Sequence, residues 1–438
     1  MPGRPYVDFT DRSVRLLTGR SSTMRGDGED DMERTTCCVV GGGPAGMMLG
    51  LLLARAGVEV TVLEKHKDFL RDFRGDTVHP STLRLLDELG LGERFARLPA
   101  RRLDQVRMHV GDTVLTLSDL RRIPGPHKYI AMVPQWDFLD LLASAAGEEP
   151  AFTLRMRTAV TGLRFEDGRV AGVRYTDEDG GPGELAADLT VACDGRDSLV
   201  REAAGLRQDL FDVPMDVWNV RVPAQKDDGK DGRVFMRAEG RQFAVTMDRG
   251  AYYQTSYLIK KGTDAELRAN GIEWFRERIG GLFGWGPEVT DAIRSWDDVK
   301  LLEVTMGRLS RWYRPGLLCI GDAAHTMSPT GGVGVNLAVQ DAVAAARILA
   351  GPLRRGTVRD EDLARVQKRR LMPAALVQKA QRGEHEALLR PALDGVLDHG
   401  RLPLPFRLLG RVPLLTTLTG YLGGVGVRPE RAPAFARP

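Results

Sequence analysis

The sequence predicts an α/β protein: a Rossmann-like domain assembled from discontinuous segments, an inserted, mostly antiparallel β-sheet, and a helical C-terminal region. Three observations carry this prediction. A short apolar strand, a Gly-x-Gly-x-x-Gly turn, a helix and a second strand follow one another between Cys37 and Glu64. Two further apolar strands, ending near Cys193 and Ile320, each run into a turn that pairs an aspartate with glycine and then into a helix start. Between them lie runs such as Val217–Val220, Gln242–Met247 and Tyr252–Leu258, whose β-branched and aromatic content reads as strand.

The first unit is the most complete. The strand through Cys37, Cys38, Val39 and Val40 meets Gly41, Gly43 and Gly46, and a helix from Pro44 to Arg55 follows, stopping at Gly57. A second strand, Val58 to Leu63, ends in Glu64, with Lys65 next. Gly41 permits the tight turn, Gly43 lets backbone approach a pyrophosphate, and Gly46 lets the helix, which opens with Pro44 and Ala45, pack closely on the strand. Glu64 can accept hydrogen bonds from ribose hydroxyls. A lone Gly-x-Gly-x-x-Gly is weak evidence, but with both strands, the helix and the terminal acid it reads as a dinucleotide site.

The second unit, Leu189 to Arg201, places Asp194-Gly195 after an apolar strand. The third follows the strand Leu317–Ile320 with Gly321-Asp322 and continues through Pro329, Gly331, Gly332, Val333, Gly334, Val335 and Asn336 into a helix from about Val335 to Ala350. An acid at a strand end can hold a sugar or ribityl chain. Glycines let N–H groups crowd an electron-rich ring edge, and a helix N-terminus favours negative charge. Each turn alone is ordinary, since Asp-Gly and glycine-rich loops are common. Their order in one chain overrides that reading.

These motifs resemble those of the class A flavoprotein monooxygenases, the para-hydroxybenzoate hydroxylase-like family, over roughly residues 34–381. Arg74 resembles the family arginine near the flavin pyrophosphate and ribityl region, and Gln135, opening a helix after Pro134, the glutamine near the ribityl chain. Asp194-Gly195 resembles the shared FAD and NAD(P)H element, Asp322 the ribityl-binding acid, and Pro329, Gly334 and Asn336 the segment against the isoalloxazine. The resemblance implies a GR2-type FAD-binding domain, non-covalent FAD, and NADPH or NADH as electron donor. It implies a monooxygenase that hydroxylates or epoxidises an aromatic or polyunsaturated small molecule with molecular oxygen, through a flavin C4a-hydroperoxide. A reductase or dehydrogenase of isoprenoid- or quinone-like substrates on the same fold is the alternative enzyme, and a flavin-binding carrier without turnover the alternative class.

Within that implied site, His325 and Pro329 are the candidates for the reacting centre. For His325 the competing reading, which we prefer, is that it packs or hydrogen-bonds to shape its loop; His79 and His109 have weaker claims. Trp218, Met236, Tyr252 and Gln254 are candidate substrate contacts. Alternation puts Tyr252 and Gln254 on one face of their strand and Tyr253 and Thr255 on the other. The pattern leaves open which face sees the flavin, and any one aromatic is as well explained by core packing.

Composition narrows the function classes. Of 438 residues, 42% are apolar, enough for a sizeable core. A net charge of +3 makes no electrostatic case for nucleic acid. The four cysteines, Cys37, Cys38, Cys193 and Cys319, lie in or beside strands and read as buried small hydrophobes in a reducing compartment, with no disulfide framework and no metal site. The polar, charged first 34 residues predict no secretory leader, and no window reads as a membrane span, so a cytoplasmic monomer or homodimer is expected. No second Gly-x-Gly-x-x-Gly predicts a separate nicotinamide domain. The expected organisation is an extension over 1–33; the FAD-binding domain over 34–104, 130–208 and 300–375; the substrate sheet over 105–129 and 209–299; and a helical region over 376–438.

Overall fold

The computed structural model describes residues 32–70, 76–111, 113–225, 234–250, 252–397 and 412–438. Residues 1–31 of the expected extension 1–33, and Arg74, lie outside them.

The strand Arg34–Val40 sits between Pro182–Ala192 and Val60–Leu63, parallel to both. Leu317–Cys319 extends this parallel sheet on one side and Phe152–Arg155 on the other. Their register matters for function: Val40 pairs with Leu63 and with Ala192, and Ala192 pairs with Cys319. The three glycine-bearing turns therefore leave the sheet side by side. In parallel sheets, ligands bind outside such carboxyl ends, where connections diverge. The strands are apolar because helices cover the sheet.

The helix Pro44–Arg55 spans the expected residues and is apolar all round, because Ala45 through Ala54 are buried. The other principal helix, Gly334–Arg354, runs a turn beyond Ala350, through Pro352, because Leu353 is itself buried. This corrects the membrane reading. By length and composition Thr330–Arg354 is apolar enough to cross a bilayer, yet 67% of its most apolar window is buried in the fold, as in a core helix. All four cysteines are free and buried, and burial pushes the Cys38 thiol up to about 12.

A second sheet of seven strands runs in the order Lys300–Leu302, Met215–Pro223, Tyr252–Lys260, Gln242–Asp248, Val234–Glu239, Gln105–Val110 and Thr113–Asp119. Its described pairings are antiparallel except that of Val234–Glu239 with Gln105–Val110. Strands from 105–129 and 209–299 thus share one sheet, which also takes the edge strand at 300–302. One face packs on the helix Ile272–Phe283. At the C-terminus, the helix Asp360–Glu384 passes into a π-helical turn, His385–Leu389, then Arg390–Asp394, and a later helix spans Pro413–Gly424.

Candidate cofactor and active site

A cavity of about 630 Å³ lies along the aligned strand ends. Gly41, Gly43, Pro44, Ala45, Glu64 and Lys65 line one part of it; Gln135, Asp194 and Gly195 another; Asp322, Pro329, Gly332, Val333, Gly334 and Val335 the rest. Two helices, Pro44–Arg55 and Gly334–Arg354, begin on its wall and direct their free N–H groups there.

Each glycine of the first turn meets a different constraint. Gly41 has φ +104°, and a Cβ there would lie 2.6 Å from the Cys193 carbonyl oxygen, so the neighbouring strand end forbids a side chain. A Cβ on Gly46 would lie 1.9 Å from the Gly41 oxygen. At Gly43, by contrast, a Cβ would meet nothing within 4 Å, because it would point into the cavity. Glu64 is held rigidly: one carboxylate oxygen accepts from the Gly42 amide at 2.8 Å and the other from the His66 amide at 3.0 Å.

The other turns show which acids hold protein and which face the cavity. Asp194 lines the cavity, but its oxygens accept from the Ser198 hydroxyl at 2.5 Å and the Val200 amide at 3.1 Å, anchoring the next helix. Burial raises its pKa against those hydrogen bonds. Asp322 also lines the cavity. Gly321 does not; its amide donates to Asp341 at 3.1 Å, and its φ of +61° turns the chain beside Ala45 and Ala338. Gly331 and Asn336 are likewise absent from the wall. The Asn336 side chain staples the loop to the next layer, accepting from the His79 amide at 2.9 Å and the Thr82 hydroxyl at 2.8 Å and donating to the Thr77 carbonyl at 3.1 Å.

His325 is buried away from the cavity, its Nε2 2.6 Å from an Asp341 carboxylate oxygen and its ring against Trp312. Asp341 bonds Arg370 as well, at 2.8 Å. Burial pushes the Asp341 carboxyl up, but His325 and Arg370 outweigh it and hold it below the usual range. That geometry corrects the acid/base assignment of His325 and supports the loop-shaping alternative.

The substrate candidates separate by face. Trp218 packs with Tyr257, Phe275 and Trp296 on the helix-backed side and donates to Asp264 at 2.6 Å, so it does not reach the cavity. Gln254 lies on the opposite face and donates to Asp76 at 3.2 Å, and Asp76 also pairs with the buried Arg249. Met236 is half-buried beside the apolar cluster around Met108 and Val217, and Tyr252 lies under the Arg221 guanidinium. None of these four lines the cavity. Sequence reasoning missed Phe69, Thr158, Val304, Thr305 and Ser328, which do. Only Ser328, beside Pro329, had a local signal.

These features fit FAD. The open face of Gly43 at a helix N-terminus, the pinned acid Glu64, and the Gly332-Val333-Gly334 backbone at the start of a second helix supply complementary chemistry in one cavity.

Comparison with known proteins agrees. Residues 34–380 match the family model described as an FAD binding domain. A 6-methylpretetramide 4-monooxygenase from Streptomyces rimosus is 38% identical over 78% of this chain and 81% of its own length. The chain belongs to this family of FAD-dependent monooxygenases. A 12-dehydrotetracycline 5-monooxygenase/anhydrotetracycline 6-monooxygenase from the same species is 30% identical over 70% of the chain, which spans 60% of that relative. Among solved structures, the OxyS anhydrotetracycline hydroxylase from Streptomyces rimosus superposes with a TM-score of 0.72 at 27% identity, covering 91% of this chain and 78% of that one. The p-nitrophenol 4-monooxygenase PnpA from Pseudomonas putida, at 21% identity and a TM-score of 0.67 over 90% of this chain and 100% of its own, shares the fold. The monooxygenase thus has the para-hydroxybenzoate hydroxylase-like architecture: a GR2-type FAD domain, an inserted sheet and a helical C-terminal region.

Proposed function

We propose that this monooxygenase hydroxylates an aromatic polyketide of the 6-methylpretetramide kind, using NADPH or NADH as electron donor. The observation that carries the reading is that Leu302, Val304 and Thr305, at the edge of the seven-stranded sheet, line the same cavity as Pro329 and Gly332–Val335. A substrate placed between sheet and loop sits beside the ring end of the cofactor site. The relatives' names support the substrate class.

Bound FAD supplies the electron transfer and the activation of dioxygen. The chain binds, orients and shields it. Gly41, Gly43, Pro44, Ala45 and the close packing at Gly46 cradle the pyrophosphate, and Glu64 with Lys65 holds the adenosine end. Gln135, Asp194, Gly195 and Asp322 face the middle, and Pro329 with Gly332–Val335 faces the ring.

The decisive test is isotopic. Once a compound accelerates NAD(P)H consumption, the reaction is run under labelled oxygen gas and the product weighed. One labelled oxygen per product is the expected result. Unlabelled product, formed equally well without oxygen, would replace the hydroxylase reading with the reductase one.

A further inference from the structure

Among the described residues, three side-chain hydroxyls lie in the cavity wall, those of Thr158, Thr305 and Ser328. Two are engaged within the protein. The Thr158 hydroxyl donates to the Met156 carbonyl at 3.1 Å, and the buried Ser328 hydroxyl meets the Thr330 hydroxyl at 3.2 Å and His385 Nε2 at 2.9 Å. Thr305 is different: it is exposed, and its hydroxyl has no hydrogen-bond partner among the described residues. It can therefore both donate to and accept from whatever fills the cavity.

The chain leading into Thr305 is held in place. It leaves the seven-stranded sheet at Leu302 and enters the strand Met306–Leu309, which pairs with His325–Thr326 at the root of the flavin loop. On this crossing the Val304 amide donates to an Asp216 carboxylate oxygen at 2.9 Å, and the Val304 carbonyl accepts from Lys261 Nζ at 2.9 Å. Lys261 and Asp216 are themselves joined at 2.6 Å, and the second Asp216 oxygen accepts from the Gly262 amide at 2.9 Å. The Asp216 side chain is only 4% exposed. A buried carboxylate bonded to one ammonium and two amides is a strong anchor, and here it fixes both peptide groups of the residue before Thr305.

We propose that Thr305 determines substrate specificity: its hydroxyl bonds a phenolic or keto oxygen of the aromatic polyketide, and Asp216 with Lys261 are positioning residues that act on it through Val304. The proposal rests on the hydroxylase reading, in which the substrate lies between this rim and the loop through Pro329. Filling the cavity expels water, so a hydroxyl that water served in the free enzyme then needs a partner on the ligand. A compound with an oxygen at that point is accepted, and one with only C–H there leaves the threonine unpaired and is rejected. Because the crossing is already fixed, little ordering is left for the substrate to impose.

The test uses FAD-loaded enzyme, NADPH as donor and 6-methylpretetramide as probe. Thr305→Val, close in shape but lacking the hydroxyl, should raise KM for the probe about tenfold. Its kcat should fall less, and the dissociation constants of FAD and NADPH should hold. Thr305→Ser, which restores the hydroxyl, should recover most of the loss. Lys261→Met should raise KM in the same direction, and adding it to Thr305→Val should cost nothing further, because it acts through a hydroxyl no longer present. Weakened FAD or NADPH binding in Thr305→Val, with KM for the probe intact, would give the hydroxyl to a cofactor and overturn the proposal. Losses that multiply in the double variant would overturn the positioning role. Wild-type enzyme that ignores the probe would remove the substrate reading and the contact together, whereas a probe that Thr305→Val handles as well as wild type would remove the contact alone.

Discussion

At the aligned strand ends the glycine turns bring backbone to the cavity wall, whereas in the seven-stranded sheet everything depends on which way side chains point. Gly46 is set by a contact inside its own turn, and Gly41 by its positive φ and by the neighbouring strand end at Cys193; neither leaves room for a Cβ. Trp218 and Gln254 occupy adjacent, equally apolar-looking strands, yet the first packs into an aromatic layer against the helix Ile272–Phe283 and the second hydrogen-bonds Asp76 on the opposite face. A motif that works through its backbone survives translation from sequence to structure. A motif that works through side-chain direction needs the partner layer.

The comparison breaks most visibly within the glycine turn itself. Gly46→Val should cost more than about 4 kcal/mol, because the side chain would collide with the Gly41 carbonyl inside the core. Gly43→Val should leave the melting temperature of the FAD-free protein nearly unchanged and abolish FAD binding, since its side chain has open space in the cavity. Melting curves and flavin content of both variants check this; a Gly43→Val protein that keeps full flavin occupancy would remove the pyrophosphate assignment.

On the sheet, Trp218→Ala should cost about 3–5 kcal/mol by emptying the aromatic layer. Denaturant titration measures the loss, and the flavin spectrum of the folded fraction should not move. A shifted KM with unaltered stability would return Trp218 to the substrate pocket.

The staple beneath the flavin loop predicts a pH dependence. Burial lowers His79 to about 4 from the ordinary histidine value of 6.5, and the ring bonds the Gly423 carbonyl at 2.8 Å. A histidine held neutral in the fold contributes stability that is present above the unfolded value and lost as pH falls from about 6.5 to about 4. The loss should reach at most about 3 kcal/mol. His79→Gln should flatten that part of the stability–pH curve; an unchanged slope would place the acid sensitivity elsewhere.

The smallest expected effect is at Glu64. Its carboxylate already accepts two backbone amides, so Glu64→Ala should weaken FAD binding by about 1–3 kcal/mol, read from flavin titration of FAD-free protein, without dissolving the fold.

The sequence by itself determined the architecture and the cofactor end of the site. Strand, glycine turn, helix and acid at 37–64 are local patterns, as are the turns at Asp194 and Asp322. Each places its residue by short-range backbone geometry. The helix Pro44–Arg55 was legible to its last residue for the same reason. The tertiary structure alone decided what separates neighbours within those motifs. Val333 faces the cavity while Asn336, one turn on, staples the loop to the layer below. His325, inside the motif, is captured by Asp341, whereas His385, far along the chain and carrying no motif, is delivered to Ser328 by the end of a long helix. Sequence distance and local propensity say nothing of such pairings, because a hydrogen bond between residues 57 positions apart exists only once two layers have packed.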